Sequence, residues 1–263
     1  MHTLAMNAAL FTLPSRGKAY TFELLADGAV KIRPFLAGDQ KVLASRATDP
    51  YQTYYALIDR ILVEPRKDVD IGSLLDSDTN ATLFAARIMS FGTGYPMPYR
   101  CEQCGSNEKH EVDLAEIDVK YEDDIEDGFS ADGLLHTLAN GDIIEYHLPR
   151  LNDEKAVSRY IREKKRKDPD SVANLQVETQ YTRIAQLIDS ISSFEEGKNK
   201  SLIAKVLYLN TEILWDDFNG LVSAIADKDV GIEGTTEATC KACGWENELG
   251  LVLNENFFRS SRK

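Results

Sequence analysis

Four cysteines, arranged as two segments of the same form, CxxCG, constrain the fold of this chain more than any other feature. The two-residue gap lets both thiolates of a pair face one metal ion, and the following glycine turns the backbone so that amide groups can donate to the sulfurs. Four thiolates complete one tetrahedral set, so the sequence predicts a single Zn²⁺ ion. Its predicted ligands are Cys101, Cys104, Cys240 and Cys243.

The distance between the two pairs is unusual for such a site. A zinc ribbon commonly separates its pairs by ~15–20 residues, whereas about 135 residues lie between Cys104 and Cys240. Loop closure becomes more costly only logarithmically with length, and a folded insertion with neighbouring ends removes most of that cost. We therefore expect a split ribbon, with each half carrying one cysteine pair and a downstream strand.

Other uses of the cysteines are open from sequence alone. Two redox CxxC motifs or four unliganded thiols are possible, although a thioredoxin-like motif is expected beside a βαβ pattern, which neither pair shows. His110 could replace one cysteine, but the set of four is already complete. A closed four-thiolate site is structural, because a catalytic zinc keeps one position for water.

Charge narrows the classes of partner. The chain has 30 basic and 43 acidic residues, a net charge of −13, which repels nucleic-acid phosphates and favours protein partners. No apolar run approaches the ~20 residues of a membrane helix, and the amino terminus lacks a secretory signal. We expect a protein made in a reducing cytoplasm, with no membrane partner, where paired cysteines favour metal over disulfides.

Apolar periodicity indicates a mixed fold. Alternation over residues 11–35, including Phe22 and Leu24, predicts short strands, and three- and four-residue spacing from 38 to 91 predicts two or three helices. Asp78 is a candidate helix cap, and the glycines at 92 and 94 predict the helix end. The acidic stretch 121–127 is interpreted as a solvated loop.

The centre of the chain is predicted to be a hairpin followed by helices. Residues 134–138 and 143–148 flank Asn140-Gly141, a strong hairpin signal, and helices are expected near 152–167, 174–191, 198–208 and 211–226. The fold class is α+β, an N-terminal strand-and-helix module plus a split zinc ribbon interrupted by a β-hairpin and a helical bundle. The predicted parts are 1–94 (strand and helix module), 95–120 (first ribbon half), 121–229 (insertion) and 230–263 (second ribbon half and tail).

Enzyme signatures are absent. The chain has no GxGxxG, GxxxxGK[ST] or GxSxG motif, and no histidine lies in HExxH. We therefore predict no catalytic residues and a protein that is not an enzyme. The basic run Arg159–Lys167 has three interpretations: helix-end cations favoured by the helix dipole, a docking site for an acidic protein partner, or a nucleic-acid contact.

Four segments occur in an order that carries a resemblance: Leu13–Tyr20, Val30–Phe35, Arg87–Gly92, and the first CxxCG segment followed by Val112-Asp113-Leu114. Together they resemble the baseplate hub subunits and hub-assembly proteins of T4-like contractile-tailed bacteriophages. The resemblance implies a structural or assembly role through contacts with other phage baseplate and tail proteins. It also implies that the protein is located in the host cytoplasm during assembly and, if it is a permanent subunit, in the tail baseplate of the virion.

One alternative comes from a different functional class. Zinc ribbons also occur in nucleic-acid-binding regulatory factors, and such a factor would need a basic face around the ribbon. The residues next to the cysteines are instead acidic: Glu102, Glu108, Glu111, Asp113, Glu246 and Glu248.

Overall fold

The computed structural model of the chain describes residues 8–20, 28–44, 50–65, 69–167, 175–254 and 257–258. Within these ranges the fold is α+β, as predicted, with eight α-helices and five small sheets of two or three strands. No helix among the described residues is long and apolar enough to cross a bilayer.

The helices are α1 Gln40–Ala44, α2 Pro50–Ile61, α3 Asp76–Phe91, α4 Leu151–Lys167, α5 Leu175–Leu187, α6 Glu196–Asn199, α7 Leu202–Thr211 and α8 Trp215–Lys228. The strands are β1 Ala9–Thr12, β2 Ala29–Ile32, β3 Leu62–Glu64, β4 Gly94–Arg100, β5 Asn107–Asp113, β6 Val119–Lys120, β7 Leu134–Thr137, β8 Ile143–Tyr146, β9 Ile188–Ile191, β10 Gly231–Ile232, β11 Thr235–Thr239 and β12 Glu246–Gly250. All strand pairs are antiparallel.

The chain forms two hydrophobic cores. The first combines residues 13–114, Leu151 and the tail 238–258, and the second combines Leu75 with residues 125–230. The tail thus returns to pack with the amino-terminal half, which brings the second cysteine pair back to the first. The four-part division of the chain stays a prediction.

In the first core, the sheet β1-β2-β3 packs with α2 and α3. The predicted strands are confirmed where they are described, and Phe22 and Leu24 lie outside the described residues. A turn follows β1, where Arg16 and Gly17 have positive φ angles of 45° and 76°. The fully buried apolar side chains here include Leu13, Ile32, Leu57, Ile58, Ile61, Leu83, Leu114 and Phe257.

Asp78 does not cap a helix, so that prediction is wrong. Helix α3 begins two residues earlier, and Asp78 is buried in its first turn. Its carboxylate accepts hydrogen bonds from the N–H of Ser15 at 3.0 Å, and from the hydroxyls of Ser15 and Tyr20 at 2.5 Å. It therefore holds the turn after β1 against α3. The predicted helix end at Gly92 is confirmed, with φ of +83° and an N–H bond to the Ile88 carbonyl.

In the second core, β7 and β8 form the predicted hairpin, and helices α4, α5, α7 and α8 supply apolar side chains around it. The helix predicted over 174–191 is wrong at its end, since α5 stops at Leu187 and β9 follows. Strand β9 pairs with the open edge of β8, where Ile144 faces Ile191. An unpaired strand edge offers backbone hydrogen bonds that helical periodicity does not reveal.

The acidic stretch 121–127 is only partly solvated, which corrects its interpretation as a free loop. Glu122 and Ile125 are buried. The N–H of Glu122 donates to the Pro14 carbonyl at 3.0 Å, and its carboxylate pairs with Lys18. The stretch therefore anchors the insertion to the turn after β1.

Candidate metal centre

The two CxxCG segments form matching turns at the ends of two hairpins. Residues 101–105, the first knuckle, join β4 to β5, and residues 240–244, the second knuckle, join β11 to β12. In each knuckle the glycine N–H donates to the carbonyl of the first cysteine, at 2.9 Å and 2.8 Å respectively. Both glycines have positive φ, +74° and +76°, a conformation that favours glycine at this point of the turn.

The fold brings the four cysteine sulfurs together. Cys101 Sγ lies 3.7 Å from Cys243 Sγ, and Cys104 Sγ lies 3.7 Å from Cys240 Sγ. All four sulfurs lie within 4.8 Å of one another. The cysteines are free, since a disulfide would require sulfurs at about 2.05 Å.

The sulfur geometry fits one metal ion. A tetrahedron with metal–sulfur distances of about 2.3 Å has sulfur–sulfur edges of about 3.8 Å, close to the 3.7 Å between cysteines of opposite knuckles. In each knuckle the first cysteine is buried and the second is exposed, so the group lies at the protein surface with its inner half enclosed. The arrangement is able to hold a metal ion between the two hairpins.

Hydrogen bonds prepare part of this group for ionisation. The Ser106 hydroxyl lies 3.3 Å from Cys240 Sγ and, together with the backbone amides of Ala242 and Cys243, lowers the pKa of that thiol to about 6. The same residue lowers the pKa of Cys104. The Trp245 amide lowers the pKa of Cys243, but partial loss of hydration among the sulfurs and the neighbouring thiols outweigh it and raise this pKa to about 12. Four sulfurs this close cannot all ionise without a cation among them, which is the condition a metal site satisfies.

Asn247 joins the two knuckles and was not found from the sequence. Its side chain is buried in the second hairpin, where Nδ2 donates to the carbonyls of Ala238 and Trp245 at 3.3 Å and 3.1 Å. Its Oδ1 accepts the N–H of Glu102 in the first knuckle at 3.0 Å. The sequence does contain a sign of this role, because the two otherwise similar knuckles differ at the third residue after the glycine. The first has Glu108 there, and the second has Asn247.

Arg87 fixes the entry to the first knuckle's hairpin. It is fully buried in α3 and donates to the carbonyls of Gly92 and Gly94, at 2.5 Å and 3.0 Å. Its guanidinium also lies over the rings of Tyr95 and Phe257, 5.2 Å and 5.5 Å from their centroids. The guanidinium therefore connects the end of α3, the start of β4 and the returning tail.

The remaining candidate ligand lies apart from the sulfurs. His110 pairs with Met97 across β4 and β5. Among the described residues, the one group of histidine, cysteine or acidic side chains close enough to hold a metal ion consists of the four cysteines. His136 and His147 lie in and beside the second-core hairpin, and His2 lies outside the described residues.

Comparison with known proteins gives one match. A family model described as T4 bacteriophage base plate protein matches residues 12–259. The match includes both knuckles and the insertion between them. No curated protein and no solved structure matches the chain.

Proposed function

The chain belongs to the T4 bacteriophage base plate protein family, and on this premise we propose that it is a non-enzymatic structural or assembly component of the hub region of a contractile tail baseplate. It acts through contacts with other baseplate and tail proteins. The observation that carries the proposal is the family match over residues 12–259. The hub assignment is supported by the order of the four segments between Leu13 and Leu114 that resemble hub and hub-assembly proteins.

We propose that the four cysteines hold one structural Zn²⁺ ion. Zinc suits a tetrahedral set of thiolates, and the 3.7 Å sulfur separations match its bond lengths. The ion would connect hairpins that are far apart in the sequence. Elemental analysis of freshly reduced protein should find about one zinc per chain. The Cys240→Ser variant should contain much less zinc. Absence of zinc from the wild-type protein, or two ions per chain, would contradict a shared site.

The acidic ribbon disfavours the nucleic-acid-binding alternative. Glu102, Glu111, Asp113, Glu246 and Glu248 are exposed on or beside the two hairpins. A nucleic-acid-binding face needs lysine and arginine to neutralise phosphates, and this face has the opposite sign. Protein contacts are the better interpretation of the same surface.

Two surfaces of the insertion are suited to protein contacts. The first, the α7–α8 surface, exposes four large apolar side chains to 59–66% of their full area: Ile203, Leu207, Leu214 and Trp215. Exposed apolar groups clustered on one element mark interaction sites, and tryptophan is enriched among the residues that dominate binding energy. Glu212 and Asp216 are exposed and flank Leu214 and Trp215 in the sequence, which favours a partner with a basic rim.

The second surface is the basic end of α4, proposed as a docking site for an acidic partner. Lys164 is already used inside the protein, because it pairs with Glu178 of α5. Lys165, Arg166 and Lys167 are exposed at the carboxyl end of the helix. The docking proposal therefore rests on these three residues and not on the whole run Arg159–Lys167.

Deleting the gene from its phage tests the function directly. We expect infected cells to accumulate incomplete baseplates, and mass spectrometry of purified particles then separates the two roles. A permanent subunit remains in finished particles, whereas an assembly factor is found only in intermediates. Complete, infectious particles formed without the protein would overturn the proposal.

A further inference from the structure

A large cleft lies between the two hydrophobic cores, and it has no part in the metal centre. Its volume is about 760 Å³, within the ~300–1,000 Å³ typical of ligand pockets. Helices α2 and α3 contribute one wall, helices α4, α5 and α8 contribute the other, and the segment after β12 lies along it. We call this space the central cleft.

The walls of the central cleft are mainly apolar. They are formed by aliphatic side chains of α4, α5, α8 and the segment after β12, which include Leu151, Ile184, Ile225 and Val252, and by the rings of Tyr51 and Tyr54. Val252 is 62% exposed, although the side chains on either side of the cleft belong to packed cores. Apolar walls with an exposed apolar rim favour an occupant that is itself largely apolar.

Most charged groups of the cleft are already paired within the protein. Glu154 accepts two hydrogen bonds from Arg183, at 2.7 Å and 2.9 Å. Arg150 pairs with Asp132 at 2.8 Å. Asp153 accepts from Gln186 at 3.1 Å. Asp153 also pairs with His147, whose Nε2 lies 3.4 Å from its carboxylate, so each of these groups has a partner of opposite charge within the protein.

Asp76 and Asp229 differ from the rest. Both line the central cleft and a smaller cavity of about 250 Å³ that shares several of its residues, so they lie where the two spaces meet. Among the described residues, no lysine, arginine or histidine nitrogen lies within 4.0 Å of either carboxylate. Burial raises the pKa of each carboxyl to about 6, although Asn80 donates a hydrogen bond to Asp76, the charge of Arg183 acts on it at longer range, and the N–H of Val230 donates to its own neighbour Asp229 at 2.9 Å. Burying a carboxylate without a cation is costly, and such residues in clefts often belong to binding sites.

We propose that the central cleft binds an apolar segment of a neighbouring baseplate protein that carries one lysine or arginine, with its cationic group placed between Asp76 and Asp229. This inference rests on the proposed baseplate function and adds a contact to it. The apolar walls match the body of such a segment, and the two carboxylates match its charge. Two carboxylates supply too few oxygens for the six to eight ligands of a calcium ion, so a protein cation fits the site better than a metal.

Site-specific photo-crosslinking in infected cells tests this contact. A benzophenone amino acid at Val252, on the rim of the cleft, should form an adduct with another baseplate protein. Mass spectrometry should place that adduct next to a lysine or arginine flanked by apolar residues. The same probe at Leu10, which is exposed on β1 of the first core, serves as the control position.

Charge variants then test the role of the carboxylates. The double variant Asp76→Asn, Asp229→Asn should reduce the Val252 adduct at least tenfold, while its melting temperature stays the same or rises. Asp216→Asn, which changes an exposed carboxylate outside the cleft, should leave the adduct unchanged. If the double variant does not fold, reversing the partner's lysine or arginine to glutamate makes the same test without altering this chain.

Several results would overturn the inference. They are no adduct at Val252, an adduct with a second copy of the chain, an adduct in a segment without a basic residue, or an adduct that survives the charge variants. Failure of the proposed baseplate function would give different results from failure of the cleft proposal alone. Baseplates would then assemble without the gene, and a probe at Trp215, outside the cleft, would also label no baseplate protein.

Discussion

The two cores of this protein are stabilised in different ways. The first contains helices α2 and α3 and sheets of two or three short strands, and its two ribbon hairpins have two strands each, a size that is marginal without further support. The second contains helices α4, α5, α7 and α8, with lengths of 10 to 17 residues, packed around one sheet. Its part of the chain contains no cysteine.

The difference shows where a metal ion is useful. Long amphipathic helices bury enough apolar surface to hold their positions. Short hairpins do not, and they gain most from a centre that joins them across a long stretch of sequence. Every cysteine of the chain therefore lies in the ribbon hairpins, and the insertion relies on apolar packing.

The largest expected effect is that of removing one thiolate. Cys240→Ser should destabilise the first core by more than about 3 kcal/mol, because loss of a ligand weakens metal binding by more than the 10–100-fold typical of outer-shell changes. Hydrogen exchange should rise in both hairpins, β4–β5 and β11–β12, since the proposed ion would join them. Protection in α5 and α8 should change far less.

The matched control is Lys241→Ala, a change of an exposed side chain in the same knuckle. It should leave exchange in both hairpins as in the wild type. Faster exchange confined to β11 and β12 in the Cys240→Ser variant would show that the knuckles do not share an ion. Equal loss of protection in α5 and α8 would show that the two cores are not separately stabilised.

The second effect concerns Arg87, a part of the first core that does not include the cysteines. Arg87→Met keeps the side-chain length but leaves the carbonyls of Gly92 and Gly94 without their donor. We expect a loss of about 2–4 kcal/mol in the free energy of unfolding, measured by urea denaturation. Arg166→Met, at an exposed position of α4, should change it by less than about 0.5 kcal/mol. A loss below about 1 kcal/mol for the first variant would show that apolar packing alone fixes the entry to β4.

The third effect makes the two cores respond oppositely to pH. Burial lowers the pKa of His147, but hydrogen bonds to Asp153 and Asp189 outweigh it and raise this pKa to about 9. Because the folded pKa exceeds the unfolded value of about 6.5, the stabilisation is complete below pH 6.5 and is lost as the pH rises through 9. The thiolates behave in the other direction, since protons compete with a metal at low pH.

His147→Asn should therefore cost about 2 kcal/mol at pH 6 and much less at pH 9.5. This value allows for the exposed partner Asp189, whose side chain is 46% accessible. Thermal unfolding at both pH values measures the difference. Thr211→Ala, at an exposed and uncharged position at the end of α7, is the control and should show no such pH dependence. An equal cost at both pH values would mean that His147 acts through packing and not through charge.

The smallest effect on stability is expected at the basic end of α4. Reversing Lys165, Arg166 and Lys167 to glutamate should change the free energy of unfolding by less than about 1 kcal/mol, because exposed charges contribute little. Association with an acidic baseplate partner should slow, most strongly at low salt. Surface plasmon resonance at several ionic strengths measures this rate. If the association rate at low salt is unchanged, these two lysines and the arginine are only solvated cations at the end of a helix.

The sequence predicted elements better than it predicted their ends and their contacts. The hairpin at Asn140-Gly141 and the helix end at Gly92 were found because their signals are local, a turn dipeptide and a glycine with positive φ. Strand β9 was missed because its backbone partner β8 lies more than forty residues earlier in the chain. The sequence does not reveal the role of Asp78, because its bonds to Ser15 and Tyr20 cross the first core.

The sequence by itself determined the α+β class, the two CxxCG turns and the family resemblance, since each depends on neighbouring residues. Only the tertiary structure decided that the four sulfurs meet, that Asn247 joins the knuckles, and that Asp76 and Asp229 share a cleft. These relations depend on how the insertion folds and returns the tail to the amino-terminal core. The spacing of residues along the chain does not give the distance between them in the folded protein, because the packing of the whole molecule decides which remote segments come close together.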